Sequence, residues 1–256
     1  MKKEVKIFLT AVMYFTRIPC PAWIDHKPEL LEKAIRYFPM IGCLVGCMTV
    51  LGLYLFSEIL PIPIAIILSM AMGLLITGAL HEDGFADVCD GFGGGWTREK
   101  ILQIMKDSSI GSYGTLGLIL LLLLKYACIA VLEKINVSYC YYSLCAGPAL
   151  SRFAAIGMSY QLNYVRLGQE AKAFPVTKPG SVTNLLIAFV FGILPLFLIQ
   201  KAILLLVLLP VLILLLYLRN YFYKRIGGYT GDCLGACQQL SELVIYLSLI
   251  VLWKYL

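Results

Sequence analysis

Charged residues are scarce in this chain of 256 residues. Asp, Glu, Lys and Arg together make up 14% of it, whereas soluble domains average about 25%. So low a charge content excludes an ordinary soluble enzyme and an intrinsically disordered chain. Hydrophobic residues are correspondingly abundant, at 60%. The composition predicts a single all-α domain over 1–256, built as a polytopic bundle of helices in a lipid bilayer.

Motifs of several common metal and nucleotide sites are also missing. The nine cysteines include no Cys-x-x-Cys pair, which argues against zinc and iron–sulfur centres and favours reduced thiols that pack as small hydrophobic groups. No Gly-Lys-Ser/Thr follows the glycine run at 91–95, so the chain has no P-loop. We expect no cleavable signal peptide, since the first apolar stretch ends at Arg17 without a small-residue cleavage site.

Apolar segments recur at a length that suits membrane spans. A spanning helix needs about 20 apolar residues. The sequence predicts seven such helices, at 38–60, 62–80, 114–132, 138–158, 185–199, 201–218 and 233–252. Residues 5–16 are too few to span the bilayer and are expected to form an interfacial or re-entrant helix.

Basic residues are distributed unevenly between the two sides that these spans define. Of the 21 Lys and Arg residues, 17 fall on the side that holds the N-terminus and the segment 81–113. By the positive-inside rule, that side faces the cytoplasm. The same rule accounts for the net charge of +6, so we expect no nucleic-acid partner. A homo-oligomer is compatible with the sequence, which does not determine the oligomeric state.

Acidic residues concentrate in the segment 81–113, which we expect to form a cytoplasmic, glycine-rich active-site loop. Asp83, Asp87 and Asp90 follow one another at i, i+4 and i+7, so they lie within about 60° on one helix face. Carboxylates at this spacing repel one another, and a hard divalent cation would relieve the repulsion. Mg²⁺, or Mn²⁺, is therefore the expected cofactor. The alternative is an acidic helix end that is simply solvated.

Residues next to these aspartates extend the candidate site. Glu82 completes the predicted set of metal ligands, although it points about 100° away from the shared face and suits an outer position. His81 is a candidate base, ligand or hydrogen-bonding partner. Gly93 and Gly94 lie in a glycine run that is expected to form a flexible turn, whose backbone N–H groups can approach a phosphate.

Further polar residues on the same side are candidates for binding a diphosphate. Arg98 offers a cation to phosphate oxygens, with lipid headgroups as the alternative partner. Arg152, beside Ser151 in a predicted span, must face the bundle interior or a wet cavity, where it either contacts a substrate phosphate or snorkels. Asp107 adds a fourth carboxylate to the acidic segment. Asp232 opens the last span as a helix cap or a site residue.

Together these features predict a membrane-embedded, Mg²⁺-dependent transferase that acts on a diphosphate. Such a transfer develops negative charge on the phosphoryl oxygens, which a carboxylate-bound cation and nearby Arg side chains offset. A CDP-alcohol phosphotransferase and a prenyltransferase are alternatives. However, the first uses an Asp-Gly-x-x-Ala-Arg opening and the second a further Asp-x-x-x-Asp motif, neither of which is present. A divalent-cation transporter is the alternative without enzyme activity.

Stretches along nearly the whole chain resemble the cobalamin (5′-phosphate) synthase family. The His-x-Asp-Gly-x-Ala-Asp-x-x-Asp-Gly core at 81–91 is the most specific of them. The matching stretches occur in the family's order, at 15–19, 36–39 with Gly42 and Gly46, 78–95, 104–114, 151–152 and 227–236.

The resemblance implies the last assembly step of the nucleotide loop of a cobamide. A hydroxyl of α-ribazole, or of α-ribazole 5′-phosphate, attacks the cobinamide-side phosphorus of adenosylcobinamide-GDP, and GMP leaves. It also implies a location in the cytoplasmic membrane of a bacterium or archaeon, with the site facing the cytoplasm. The remaining roles are phosphate contacts from Arg17, Arg98 and Arg152, a base or supporting role for His81, and a second cation or an oriented hydroxyl at Asp107 and Asp232.

Overall fold

The structure, a computed structural model, describes residues 2–24, 28–166, 181–197 and 201–253. Within these ranges the chain is all-α, as predicted, and its only extended pairing is an isolated bridge between Tyr164 and Tyr229. The α-helices of these ranges are α1 Lys2–Phe15, α2 Pro28–Ala34, α3 Phe38–Ser57, α4 Ile62–Thr77, α5 Leu80–Gly94, α6 Arg98–Ile104, α7 Ser112–Ile135, α8 Val137–Ser159, α9 Val182–Ile193, α10 Leu208–Ile226 and α11 Gly231–Trp253. Short 3₁₀ helices at Ile35–Tyr37, Leu194–Phe197 and Ala202–Val207 join or extend them.

Several of these helices are long and apolar enough to cross a membrane. Among the described residues there are four such stretches, Glu29–Ser57, Ser112–Ile135, Ala202–Ile226 and Gly231–Trp253. A fifth arises if α4 and α5, which meet at a bend of 90°, form one broken span. These helices confirm a polytopic membrane protein. Seven spans and a cytoplasmic N-terminus stay predictions, and the span predicted at 185–199 runs into 198–200, which lie outside the described residues.

Two residues in the left-handed conformation build the bend between α4 and α5. Gly78 ends α4 with φ of 65°, and Ala79 follows with φ of 55°. Glycine adopts this conformation without cost, whereas a residue with a Cβ atom is strained there. The bend sets α5 at a right angle to α4. With 15 residues, α5 is about 22 Å long, which is too short to span a bilayer, so we treat it as lying outside the membrane-spanning segments.

The segment 81–113 is mostly helical rather than a loop, which corrects the prediction. Its first part is α5, whose buried Phe85 and Phe92 hold one face of the helix against the bundle. The second part is α6, where the Thr97 side chain accepts a hydrogen bond from the backbone N–H of Lys100 and caps the helix. The expected flexible glycine turn was also wrong, because the glycines at 91, 93 and 94 continue α5.

Small residues bring the central helices into close contact. A Cβ atom at Gly42 or Gly46 of α3 would lie 2.3 Å from a backbone carbonyl oxygen of α8, that of Pro148 or Leu144. Only glycine lets the two backbones approach so closely, as small residues do in membrane bundles. Helix α8 also packs against α11, and α11 against α5. This chain of contacts fixes the start of α11 beside the acidic segment.

Candidate active site

The acidic residues of α5 and α11 meet where these two helices cross. A Cβ atom at Gly84 would lie 2.9 Å from the Cα atom of Asp232, and one at Gly235 would lie 3.1 Å from the carbonyl oxygen of His81. Because both crossing positions are glycine, the backbones touch. The contact places Asp232, in the first turn of α11, beside the acidic face of α5.

Asp83, Asp87 and Asp232 form one group of negative charges, which we call the acidic cluster. Asp83 is exposed, whereas Asp87 and Asp232 are partly buried. Burial, together with the charges of Asp232 and Asp83, raises the pKa of Asp87 to about 7. Both causes disfavour the ionised carboxylate. A cation bound at the cluster would oppose both of them.

An arginine already contacts the acidic cluster. Nη2 of Arg166 donates to Oδ2 of Asp232 at 2.7 Å and to the carbonyl oxygen of Met105 at 3.0 Å. Sequence reasoning missed Arg166, because its only signal was a basic residue among many on the same side. Despite this guanidinium, the negative charges of Asp232 and Asp83 still raise the pKa of Asp87, so negative charge is in excess around that carboxyl.

Asp90 lies on the same helix as Asp83 and Asp87 but makes different contacts. Its Oδ2 accepts the N–H of Gly111 at 2.7 Å and its Oδ1 accepts the N–H of Gly114 at 2.8 Å. A Cβ atom at either glycine would collide with the carboxylate. Asp90 is buried and fastens the start of α7 to α5. The structure therefore does not bring all three predicted ligands to one point.

The acidic cluster fits a cation that binds together with a substrate. Among the described residues, no three His, Cys, Asp or Glu side chains are grouped closely enough to hold a metal ion by themselves. Mg²⁺, however, commonly binds through one or two carboxylates and completes its shell with water and substrate phosphates. The hard oxygen donors and uncompensated charge of the cluster suit that mode of binding.

A pocket of 140 Å³ opens against the acidic cluster. Asp83, Asp232 and Arg166 line its polar end. Buried apolar side chains from α1, α3 and α8 also line the pocket, Phe15 and Phe38 among them, and we call this part of its lining the apolar end. A polar group and an apolar wall thus face one small space.

A second group of charges lies inside the bundle, around a cavity of 70 Å³ that we call the buried polar chamber. Lys125, Arg152, Gln239 and Glu242 line it. Glu242 accepts hydrogen bonds from Nζ of Lys125 at 3.1 Å and from the hydroxyl of Tyr246 at 2.9 Å. A carboxylate at this depth needs an internal partner, and Lys125 provides it.

Arg152 belongs to the buried polar chamber rather than to the acidic cluster. Its Nη1 donates to the carbonyl oxygen of Pro148 at 3.0 Å, and its guanidinium carbon lies 5.4 Å from the ring centre of Phe38. The neighbouring Ser151 accepts a hydrogen bond from Gln238 at 2.9 Å. The prediction that Arg152 faces the bundle interior is confirmed. Its contact with a phosphate stays a prediction.

His81 and Glu82 lie between the two regions. His81 is buried, stacks on Phe38 with ring centres 5.5 Å apart, and lines both the pocket and the chamber. Its Nε2 atom has no hydrogen-bond partner among the described residues. Glu82 turns toward the chamber, where it accepts a hydrogen bond from Gln239 at 2.7 Å. This orientation agrees with the outer position predicted for Glu82.

Three other predicted site residues are not among those that line the pocket. Arg17 is exposed, and its side chain covers Gly78. Arg98 is exposed on α6. Asp107 is exposed and accepts the backbone N–H of Ser109 at 2.9 Å, a hydrogen bond that lowers the pKa of its carboxyl. Arg17 thus lies against the bend between α4 and α5, Arg98 lies near Gly227, and Asp107 binds within its own turn.

Comparison with known proteins gives matches over almost the whole chain. A family model described as cobalamin-5-phosphate synthase matches residues 7–250. The adenosylcobinamide-GDP ribazoletransferase of Shewanella amazonensis is 42% identical over 254 residues, which cover 99% of this chain and 98% of the relative. The relative of the same name from Shewanella frigidimarina is 41% identical over 248 residues, or 97% of this chain and 95% of the relative. No solved structure matches the chain.

The fold and the crossing of α5 and α11 define a class, a polytopic helical membrane protein with a carboxylate-lined pocket at one helix crossing. Within that class, the chain belongs to the cobalamin-5-phosphate synthase family. It is therefore an enzyme, a transferase of cobalamin biosynthesis.

Proposed function

We propose that this enzyme joins α-ribazole, or α-ribazole 5′-phosphate, to adenosylcobinamide-GDP and releases GMP. The names of the relatives at about 40% identity support these substrates. We locate the reaction at the acidic cluster, because its excess negative charge lies beside a pocket. Such a charge suits a cation-bound diphosphate.

The proposed reaction forms one phosphorus–oxygen bond and breaks another. The hydroxyl oxygen of the ribazole attacks the phosphorus on the cobinamide side of the diphosphate. The bond from that phosphorus to the bridging oxygen breaks, and GMP leaves with the bridging oxygen. The proton of the attacking hydroxyl passes to a base of the enzyme. Negative charge therefore grows on the phosphoryl and leaving oxygens, where stabilisation is needed.

Asp83 and Asp87 are the residues that would hold Mg²⁺, with Mn²⁺ as a second suitable ion. When bound, the cation neutralises the charge of the diphosphate and of the leaving group. Asp90 supports this arrangement by fixing α7 to α5 through its two backbone hydrogen bonds. Its role is thus to position the helix that carries the ligands.

Asp232 and Arg166 would act on the nucleophile and the phosphate. Asp232 faces the pocket and is held by Arg166, so its carboxylate can orient the hydroxyl and accept its proton. The guanidinium of Arg166 has further N–H groups for phosphate oxygens. His81, buried beside the same pocket, is the second candidate for the proton acceptor.

The enzyme is further proposed to lie in the cytoplasmic membrane with the pocket facing the cytoplasm. The uneven distribution of basic residues supports this orientation. The acidic cluster supports the same orientation, because α5 and the first turn of α11 overlap the segments 81–113 and 219–232, which the rule assigns to the cytoplasm.

The test is an assay of the purified protein in liposomes with adenosylcobinamide-GDP, α-ribazole and Mg²⁺. We expect GMP and a corrinoid product whose mass equals the sum of the two substrates minus the mass of GMP, both dependent on α-ribazole. Release of GMP at the same rate without α-ribazole would indicate a hydrolase and refute the transfer. Unchanged product formation with a chelator would refute the role of the cation alone.

A further inference from the structure

The pocket beside the acidic cluster has an apolar end that the proposed chemistry does not use. Phe15 and Phe38 stack with ring centres 4.3 Å apart, and Ile156 completes the wall. These three side chains are 6%, 7% and 2% exposed. The apolar end is therefore a preformed hydrophobic surface.

The size of the pocket restricts what it can hold. Its volume is 140 Å³, and apolar cavities of about 150 Å³ hold a benzene molecule. A small flat aromatic group therefore fits, whereas a corrin macrocycle does not. Phe15, Phe38 and Ile156 carry no hydrogen-bonding group, although Tyr14 and His81 also line the pocket. An occupant with many hydrogen-bonding groups placed against these three side chains would lose water partners there.

We infer that the apolar end binds the aromatic base of the ribazole substrate, an inference that rests on the proposed function. The base of α-ribazole is a benzimidazole, a flat ring system without exocyclic amino or carbonyl groups. The guanine of adenosylcobinamide-GDP carries both of these groups, and the hydrocarbon wall offers them no partner. The chemistry of the wall thus selects the ribazole base over guanine.

Helices α5 and α11 each contribute residues to both the wall side and the acidic side of the pocket. His81, which stacks on Phe38, precedes Asp83 by two residues on α5. Leu234, another pocket residue, follows Asp232 by two residues on α11. All of these residues line the same pocket, so the wall and the carboxylates of Asp83 and Asp232 face one space. A base at the apolar end places the ribose hydroxyls at the acidic cluster.

This placement also explains the position of α1. The helix has 14 residues, too few to span a bilayer, yet it buries Phe15 at the pocket and Ile7 and Ala11 in the core. In the proposed enzyme, α1 closes the substrate pocket from one side.

The test compares two nucleosides in one enzyme. Ala155 lines the pocket and is buried, so Ala155→Leu reduces the space for the base. The quantity measured is kcat/KM for the 5,6-dimethylbenzimidazole riboside divided by kcat/KM for the unsubstituted benzimidazole riboside. We expect Ala155→Leu to lower this ratio about tenfold or more, because a methyl group in an apolar pocket is discriminated to this extent. Ala188→Leu, at a buried alanine of α9 outside the pocket, should leave the ratio unchanged.

A second variant covers the case in which Ala155→Leu does not fold. Phe15→Leu should raise the KM for α-ribazole about tenfold and leave the KM for adenosylcobinamide-GDP within about twofold, with Phe222→Leu of the same core as the control. An unchanged ratio in Ala155→Leu, or a rise in the KM for adenosylcobinamide-GDP instead, would overturn the inference. Absence of any product from the unsubstituted enzyme would instead refute the proposed function.

Discussion

The acidic cluster and the buried polar chamber both hold charged side chains, but they differ in how those charges are balanced. In the chamber, Lys125 contacts Glu242 and the cation Arg152 faces the same cavity as Glu82. At the acidic cluster, the guanidinium of Arg166 contacts Asp232, and the charges of Asp232 and Asp83 still raise the pKa of Asp87.

This difference separates a structural charge network from a site that needs a ligand. Buried charges that neutralise one another hold helices in register, and removing one partner leaves the other as an uncompensated buried charge. Carboxylates without sufficient counter-charge raise one another's pKa and are stabilised by a cation. We therefore assign chemistry to the cluster and helix packing to the chamber, and the following substitutions test that division.

The largest effect is expected from Asp87→Asn. Removal of a cation ligand should lower kcat/KM for GMP release by at least about 10²–10³-fold, the size of the loss when one charge-stabilising group is removed. The fold should be unaffected, because the substitution relieves repulsion within the cluster. Activity is measured in a Mg²⁺ titration and folding by size-exclusion chromatography. Glu99→Gln, at an exposed residue of α6, is the control. Near-normal turnover of Asp87→Asn would show that Asp87 does not bind a catalytic cation.

The opposite behaviour is expected from Lys125→Met in the chamber. Without Lys125, Glu242 is a buried charge that has lost its cation, which costs about 3–5 kcal/mol of the free energy of unfolding. The double variant Lys125→Met/Glu242→Gln should recover most of this loss, because both charges are then gone. Unfolding in a denaturing detergent titration provides the measurement. A double variant as unstable as the single one would show that charge balance is not what holds the chamber.

A smaller effect is expected from Gly114→Ala, where the new methyl group collides with Oδ2 of Asp90. Overpacking of this kind costs about 1–3 kcal/mol, and here it also breaks the hydrogen bond that fastens α7 to α5. Thermal unfolding in detergent should shift to lower temperature. An unchanged midpoint of thermal unfolding would show that the contact between Asp90 and Gly114 does not hold α7 against α5.

The smallest effect is expected from Gly94→Ala. A Cβ atom there would have its nearest neighbour, Cδ1 of Ile104, at an ordinary 3.5 Å, and alanine is the better helix former. GMP release should stay within about twofold of the unsubstituted enzyme, as is usual for a surface substitution. A tenfold loss of activity would instead mean that the glycine backbone contacts a phosphate, as its sequence alone suggested.

Sequence reasoning succeeded for features that depend on local periodicity. The helical spacing of Asp83, Asp87 and Asp90 correctly predicted that one helix carries all three, although Asp90 makes different contacts from the other two. The cost of a charge in lipid correctly predicted that Arg152 faces the bundle interior. It failed at Gly93 and Gly94, where glycine content predicted a turn. The buried aromatic side chains of α5 outweigh the low helix propensity of those glycines.

The amino-acid sequence alone identifies a helical membrane protein with an acidic helix face, because hydrophobicity and helical spacing are properties of neighbouring residues. Which charges come into contact depends instead on how the helices pack. Asp232 joins the cluster through a glycine contact with α5, and Arg166 reaches it from 66 residues away in sequence. Asp90 lies outside the acidic cluster because it accepts the backbone N–H groups of Gly111 and Gly114 at the start of α7. Contacts of this kind depend on how helices cross, which no local pattern encodes.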